Sequence, residues 1–486
     1  MRINNNSGNS ILLAGVKLIT TLNSLIITMV LSKTMSLNGY GTYSQTLIVV
    51  TVATTLSVLG LTDAANFFFN RTSDAATQRK YSNHIFSILV FTGICVAGGI
   101  LIGQDLIVDY FSNPALKSLL LLVAFRPFLA NFTLLLQVLH VAIGQSRVIV
   151  VRNLLVSILQ LAAVVIISMT TSNLFAILLV YLLLEILVNV LLVISLRNFG
   201  VRLRLIRPEP AIVKEILRFS LPMAAYVLMN TLMRDMDKLV IGGLETTEAL
   251  AIYSNCGKIL PFDFLSASFL TILVPVVTRY LNQNENGKAS EVFSLYLKIG
   301  CMSTWVFTTV ALLCPDQIIS FLYSREYLVG KSIFILYIIV EMVKFANISL
   351  ILSASGKTKQ LMYISAAGLA ANLILDLLLY RLVGFIGPAL ATVIVTLMTV
   401  VLLFRSSIKA LQCRIRNVMD WKFLLGFLAK SIAGSAVCIL VKLWLTHLGL
   451  HDYLILFLIA GIYGASMLAL NLREIKGCLM RLNQYR

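Results

Sequence analysis

Apolar residues fall along this chain in runs of about twenty, separated by short polar connections. About twenty residues is the length an α-helix needs to cross the hydrocarbon core of a bilayer. The pattern predicts fourteen spans. The first six lie at approximately 10–32, 43–69, 85–108, 115–140, 148–169 and 173–196. The next six lie at approximately 219–243, 252–276, 292–314, 332–354, 360–380 and 384–404, and two more at about 423–446 and 453–472. The expected fold class is an all-α membrane protein of 14 transmembrane helices.

Composition agrees. Of 486 residues 59% are hydrophobic and 12% charged, about half the charge of an ordinary soluble chain. The net charge of +18 would point to nucleic acid in a soluble protein. Here its distribution gives another cause, and no nucleic-acid partner is expected. With the N-terminus cytoplasmic, the inner segments hold 25 lysines and arginines and the outer ones 5, alternating loop by loop. That is the positive-inside signature, and it puts both termini in the cytoplasm. The first apolar run is too long for a signal-peptide core and reads as the first span.

Several chemistries are disfavoured. Seven cysteines form no C-x-x-C pair, and the four histidines are dispersed, so neither a disulfide framework nor a metal site is expected. Gly356-Lys357-Thr358 resembles the end of a phosphate-binding loop, but the glycine that motif needs at 351 is Ile351. No cofactor is expected. Outer connections are all short, about seventeen residues at most, which leaves no room for an external catalytic domain.

The chain also repeats. Gly41-Thr42-Tyr43-Ser44 matches Ala251-Ile252-Tyr253-Ser254 at an offset of 210, and Gly144-Gln145-Ser146-Arg147 matches Gly356-Lys357-Thr358-Lys359 at 212. Both matches fall at equivalent places in a six-span count. Six is even, so the expected units are two parallel six-helix lobes plus two C-terminal helices. The expected division is an N-lobe at 1–197, a basic cytoplasmic linker at 198–218 lying along the membrane surface, a C-lobe at 219–405, and spans 13 and 14 with a tail at 406–486. Substrate is then expected where the lobes meet, with alternating access from their rocking.

Arg218-Phe219-Ser220-Leu221-Pro222 opens span 7 and Asp237-Lys238-Leu239-Val240-Ile241-Gly242 closes it. Then come Tyr253-Ser254, Pro275, Arg279, Leu322-Tyr323 with Tyr327, Ala354-Ser355-Gly356-Lys357-Thr358-Lys359, Asn372, and Gly384-Phe385-Ile386-Gly387-Pro388-Ala389. In this order the series resembles the polysaccharide-export and O-antigen repeat-unit flippases of the multidrug/oligosaccharidyl-lipid/polysaccharide (MOP) superfamily, over roughly residues 8–405. The resemblance implies translocation of an undecaprenyl-diphosphate-linked glycan from the inner to the outer leaflet of a bacterial inner membrane. It also implies contact with membrane lipids, a polysaccharide polymerase and a chain-length regulator.

The chemistry lies in the charges inside spans. Nine are basic: Lys17, Arg126, Arg234, Lys238, Lys258, Lys298, Lys344, Lys430 and Lys442. At about 2.5–3.5 kcal/mol per central charge, they must snorkel, pair or face an anionic cavity. Seven acids offer partners: Asp63, Glu185, Asp235, Asp237, Asp263, Glu341 and Asp376. Helical spacing lets Arg234 and Lys238 pair with Asp235 and Asp237, and Glu341 with Lys344. Lys17 either pairs with Asp63 on the next span or joins an anion-binding set. Lys298, Lys430 and Lys442 sit near span ends and are expected to snorkel. Asp376 is expected to be solvated.

Arg126 and Lys258 have no acid at helical spacing, and each lies beside a proline, Pro127 and Pro261. They are the leading substrate-binding candidates, with Arg234 and Lys17, because arginine holds phosphate oxygens bidentately. Asp263 and Glu185 are the leading ion-coupling acids, with Asp235 and Asp237, since a buried acid is able to load and release a proton as access alternates. The rival functions are a lipid II flippase, a drug exporter of the same superfamily, and a membrane glycosyltransferase or polymerase. Organic cations would be repelled by Arg126, Arg234 and Lys258. The enzymes need an outer loop or a cytoplasmic carboxylate motif that this chain lacks.

Overall fold

A computed structural model describes residues 3–71, 74–262 and 264–484, apart from the side chains of 3–15, 17–18, 264–265, 267–268, 271–272, 479 and 482–484. All regular elements among them are helical. Among the described residues ten segments are long and apolar enough to cross a membrane, and three of them, Leu37–Asn70, Leu116–Ala142 and Thr358–Leu411, are each two helices in sequence. The chain divides into two compact units, Met1–Ala251 and Ile252–Arg486.

The first unit contains α1 (Ile3–Thr34), α2 (Leu37–Val58), α3 (Leu61–Asn70), α4 (Ala75–Ile102), α5 (Gln104–Phe111), α6 (Leu116–Val123), α7 (Arg126–Ala142), α8 (Ser146–Thr170), α9 (Leu174–Asn198) and α10 (Pro210–Leu244). Helix α11 (Thr247–Cys256) holds the boundary. The second expected span is α2 and α3, broken where Leu59 and Gly60 turn left-handed. Asn131 takes up groups near the break, donating to the Thr54 carbonyl at 2.9 Å and the Ser57 hydroxyl at 2.6 Å. Asp63 then lies in the first turn of α3, where a helix dipole favours negative charge.

The basic linker runs beside α4. The N–H groups of Arg204, Ile206 and Glu209 bond to Asn83, Ser87 and His84. The end of the expected linker, from Pro210, is already helical. It is continuous with span 7 through Pro222 in the 35 residues of α10, about 52 Å long. Glu215, early in α10, is held by Arg71 at 3.2 Å and by the Tyr81 hydroxyl at 2.6 Å.

The ends of α2, α5, α10 and α11 lock together. Asn38 donates to Glu248 at 2.7 Å, and Asn113 donates to Thr42 and Gln45 at 2.9 and 2.6 Å. A Cβ at Gly41 would lie 2.0 Å from the Thr247 carbonyl oxygen, so only glycine permits this approach. Phe111 fills the space over Gly242 in the same way.

The second unit contains α12 (Phe264–Asn282), α13 (Asn286–Leu313), α14 (Pro315–Leu322), α15 (Lys331–Val343), α16 (Leu350–Ala354), α17 (Thr358–Val383), α18 (Gly387–Leu411), α19 (Ile415–Val418), α20 (Trp421–His447), α21 (Asp452–Leu470) and α22 (Leu472–Gln484). Its core joins Phe293, Tyr296 and Leu297 of α13 to Phe427, Ile459 and Tyr463 of α20 and α21. The outward faces of α20 and α21 are apolar, with Leu440, Leu443 and Phe457 more than 60% exposed, as expected of surface that meets lipid.

Spans 8 and 10 are interrupted, by the residues between α11 and α12 and between α15 and α16. Irregular backbone at membrane depth persists only where protein or water satisfies it. Protein does so in span 10. Trp305 donates to the Met342 carbonyl at 2.9 Å, Thr304 to Phe345 at 3.2 Å and Ser407 to Ile348 at 3.2 Å. The Tyr296 hydroxyl accepts the Asn347 N–H at 2.9 Å.

Candidate functional site

In the first unit, the fourth span is split into α6 and α7, and Arg126 is the first residue of α7, with Pro127 behind it. Proline suits this place because its missing N–H would be unpaired there anyway. About 15 Å of helix precedes Arg126 in the span and about 24 Å follows, so it lies deep in the apolar layer. The guanidinium Nε donates to Glu185 of α9 at 3.4 Å, and both side chains are mostly buried, 16% and 17% exposed. Tyr181, one turn before Glu185, puts its ring 5.6 Å from the guanidinium carbon, a cation–π arrangement.

Arg152 lies six residues into the next helix, α8, and is half-buried. Its Nη1 donates to Asn153 at 2.7 Å. Counted among loop charges by sequence, it was missed as a charge inside the span. A basic residue one or two turns inside a span end is the signal that could have found it. Three donors on α7, α8 and α9 have no hydrogen-bond partner among the described residues: Nη1 of Arg126, Nε of Arg152 and the Tyr181 hydroxyl.

The α10 cluster is arranged differently. Asp235 receives Arg234 at 3.0 Å and Lys238 at 2.8 Å, so one carboxylate serves two cations on its own helix. Arg234 pairs with its chain neighbour rather than with residue 237 or 238, and it is 55% exposed. Asp237 is buried, and its Oδ1 accepts the Lys238 N–H at 2.8 Å.

In the second unit, Lys258 is half-buried in the break of span 8. Glu341, expected to pair with Lys344, reaches that break and accepts the N–H of Leu260; Lys344 itself is exposed just past the end of α15. Asp263 lies outside the described residues. Lys17 falls in α1, with its side chain outside the described ones. Asp376, expected to be solvated, is fully buried on α17 and accepts from Asn372 at 3.2 Å. The helix continues to Val383, two turns beyond it.

The three lysines expected to snorkel all reach helix ends. Lys430 donates to the Leu470 carbonyl at 2.9 Å and Lys442 to that of Leu313 at 2.7 Å. These are the last residues of α21 and α13, where carbonyls lack helical partners. Lys298 joins Asp420 and Glu474 beside a polar cavity of about 240 Å³, also lined by Glu291, Cys478 and Arg481. This hydrogen bond from Lys298 holds the Asp420 carboxyl below the usual carboxylate range.

Long apolar helices, several of them broken, define a multi-pass membrane protein, and comparison with known proteins agrees. A lipid II flippase MurJ in an inward closed conformation superposes with TM-score 0.76 over 96% of this chain and 100% of its own, at 16% identity. An inward-facing multidrug resistance MATE transporter of the MOP superfamily gives 0.64 over 82% and 98%, at 14% identity. A MOP superfamily transporter from Pyrococcus furiosus gives 0.57 over 84% and 95%, at 16% identity. These likenesses establish a MurJ/MATE-like fold. A membrane protein of Methanocaldococcus jannaschii described as uncharacterized is 29% identical over 193 residues, 38% of this chain, which spans 43% of that relative's length.

Residues 30–331 match the family described as polysaccharide biosynthesis protein, and the chain belongs to that family. Family and fold together give a polysaccharide biosynthesis protein with a MurJ/MATE-like membrane fold.

Proposed function

We infer that this protein is a flippase moving an undecaprenyl-diphosphate-linked oligosaccharide, an O-antigen or related polysaccharide repeat unit, from the cytoplasmic to the outer leaflet of a bacterial inner membrane by alternating access. The family supports a polysaccharide cargo, and the observation that carries the reading is the Arg126 site. A guanidinium at the start of a mid-membrane helix, with one buried N–H group unpartnered, favours an anion through both its own charge and the helix dipole. The diphosphate is the part of the cargo that supplies one. Glu185, in contact with Arg126, is the described acid best placed to couple transport to an ion gradient.

A second reading, a lipid II flippase, is favoured by the extent of the MurJ likeness, which takes in 96% of this chain. Lipid II also bears a diphosphate, so Arg126 serves both readings. Purified protein in proteoliposomes, loaded in turn with a fluorescent undecaprenyl-diphosphate oligosaccharide and with lipid II, separates them. Translocation of the first, lost in Arg126→Gln, is the expected result. Transport of lipid II alone would move the assignment to the second reading, and transport of neither would end both. Collapsing a proton gradient and a sodium gradient separately tests coupling; indifference to both removes Glu185 from that role.

A further inference from the structure

We propose that residues 199–207 form a headgroup site for anionic phospholipid, with Arg202, Arg204 and Arg207 on the phosphates and Phe199 and Leu205 in the apolar layer behind them. The proposal goes beyond the flippase reading and does not depend on it.

From Arg202 to Glu209 the chain is neither helix nor strand, so its backbone groups need partners elsewhere. Three N–H groups find them on α4. Arg204 donates to Asn83 at 2.9 Å, Ile206 to Ser87 at 3.0 Å and Glu209 to His84 at 3.2 Å. All three accepting side chains are buried, so the segment is strapped to the helix. Asn83 and Ser87 are one turn apart, about 6 Å. Two residues of chain cover that distance only when extended, and Pro208 and Pro210 keep Arg207 and Glu209 extended as well. Val201 and Leu203 pack on the core of the first unit, which turns the alternate positions Arg202 and Arg204 outward. Both are exposed, as is Arg207.

Charge then decides the partner. Residues 197–218 contain six basic side chains and two acids, Glu209 and Glu215. Both acids are already engaged, Glu209 by Lys80 at 2.8 Å and Glu215 by Arg71 at 3.2 Å. No acid in this stretch is left for the three arginines. A fixed row of like charges gains most beside a surface of opposite sign.

Depth makes that surface a membrane. Asn83 and Ser87 bracket Ile85, where the apolar run of the third span begins, which sets the strap at headgroup level. Phe199 and Leu205 are 47% and 66% exposed. Apolar side chains interleaved with arginines suit a membrane interface, whereas a soluble polyanion would leave them in water. Arg202 and Arg207 are separated by at most about 18 Å of chain, a row that meets several headgroups rather than one phosphate.

Purified full-length protein in detergent tests this, titrated with phosphatidylglycerol and with phosphatidylcholine of the same acyl chains. Bound lipid is read by native mass spectrometry, with the unfolding midpoint measured for every variant. The wild type should hold phosphatidylglycerol at least tenfold tighter, and the preference should shrink as salt is raised. Arg202→Gln, Arg204→Gln and Arg207→Gln should each weaken that binding about fivefold, the equivalent of about 1 kcal/mol per basic residue at an anionic surface. Binding of phosphatidylcholine should not change in them. Lysine at all three positions should keep most of the preference, and Leu205→Ser should weaken both lipids alike. Lys117→Gln, at an exposed pair with Asp105, should change nothing. Equal affinity of the wild type for the two lipids would overturn the site. So would an undiminished preference in the triple glutamine variant or, if that variant does not fold, in all three single ones. Displacement of the lipid by equimolar inorganic pyrophosphate would reassign the row to soluble phosphate. Loss of undecaprenyl diphosphate binding alone in the glutamine variants would reassign it to the cargo path, and either result overturns the lipid assignment.

Discussion

Arg126 and Arg234 are both arginines deep in apolar helices, and each touches one carboxylate, yet they are placed in opposite ways. Arg126 meets Glu185 across 59 residues of sequence, from a different helix, with both side chains mostly buried. Arg234 meets its neighbour Asp235 on one helix, stands 55% exposed, and shares that acid with Lys238. The first arrangement depends on the fold and leaves donors unspent. The second arises from spacing along one helix and needs no other element to hold it. A charge inside a span is therefore informative about ligands only once its partner has been located.

The contrast breaks most sharply on substitution. Arg126→Met strands the Glu185 carboxylate in a buried setting and should cost about 3–5 kcal/mol, read as a fall in the unfolding midpoint in detergent. A loss below about 1 kcal/mol would mean Glu185 is solvated and the contrast is false. The charge swap Arg126→Glu with Glu185→Arg should regain more than half of that stability while transport stays lost, because a carboxylate at the N-terminus of α7 would itself take the place of the anion. Arg234→Ala should cost no more than about 1 kcal/mol, as exposed ion pairs do, since Asp235 keeps Lys238.

The smallest effect concerns a third setting, the pair of Lys298 with Asp420. The folded carboxyl of Asp420 is held below its ordinary value of about 3.9, chiefly by the hydrogen bond from Lys298. Its contribution is therefore present above the unfolded value and fades as pH falls through the lower, folded one. Unfolding midpoints should drop for the wild type relative to Asp420→Asn as the medium is taken below about pH 4. Parallel curves would show that the pair contributes nothing.

Much of the fold was legible in the hydropathy pattern, because a membrane allows few ways to satisfy backbone groups and apolar runs of span length have to be helices. The pairing of Lys238 with Asp235 was legible too, since three residues along a helix makes neighbours. What spacing could not reveal was anything across helices. Glu185 reaches Arg126, Glu341 leaves Lys344 for the Leu260 N–H, and Lys430 and Lys442 find the ends of other helices. Arg152 was hidden for another reason: positive-inside counting explains any arginine near a cytoplasmic boundary, and so stops inquiry into those that turn inward. The helix breaks of spans 8 and 10 were only half visible. Pro261 marked one, but the six residues 344–349 contain no proline or glycine, and their geometry comes from side chains of α13 and α18.

The bond between Asn38 and Glu248 joins positions 210 residues apart, the same interval at which the chain matches itself. Both residues belong to the first compact unit, so the bond ties the start of α2 to the far end of the same unit. With Thr247 seated against Gly41 beside it, the segment from 38 to 248 is closed on itself like a buckled belt, and a nick in any loop between them would leave its two ends fastened.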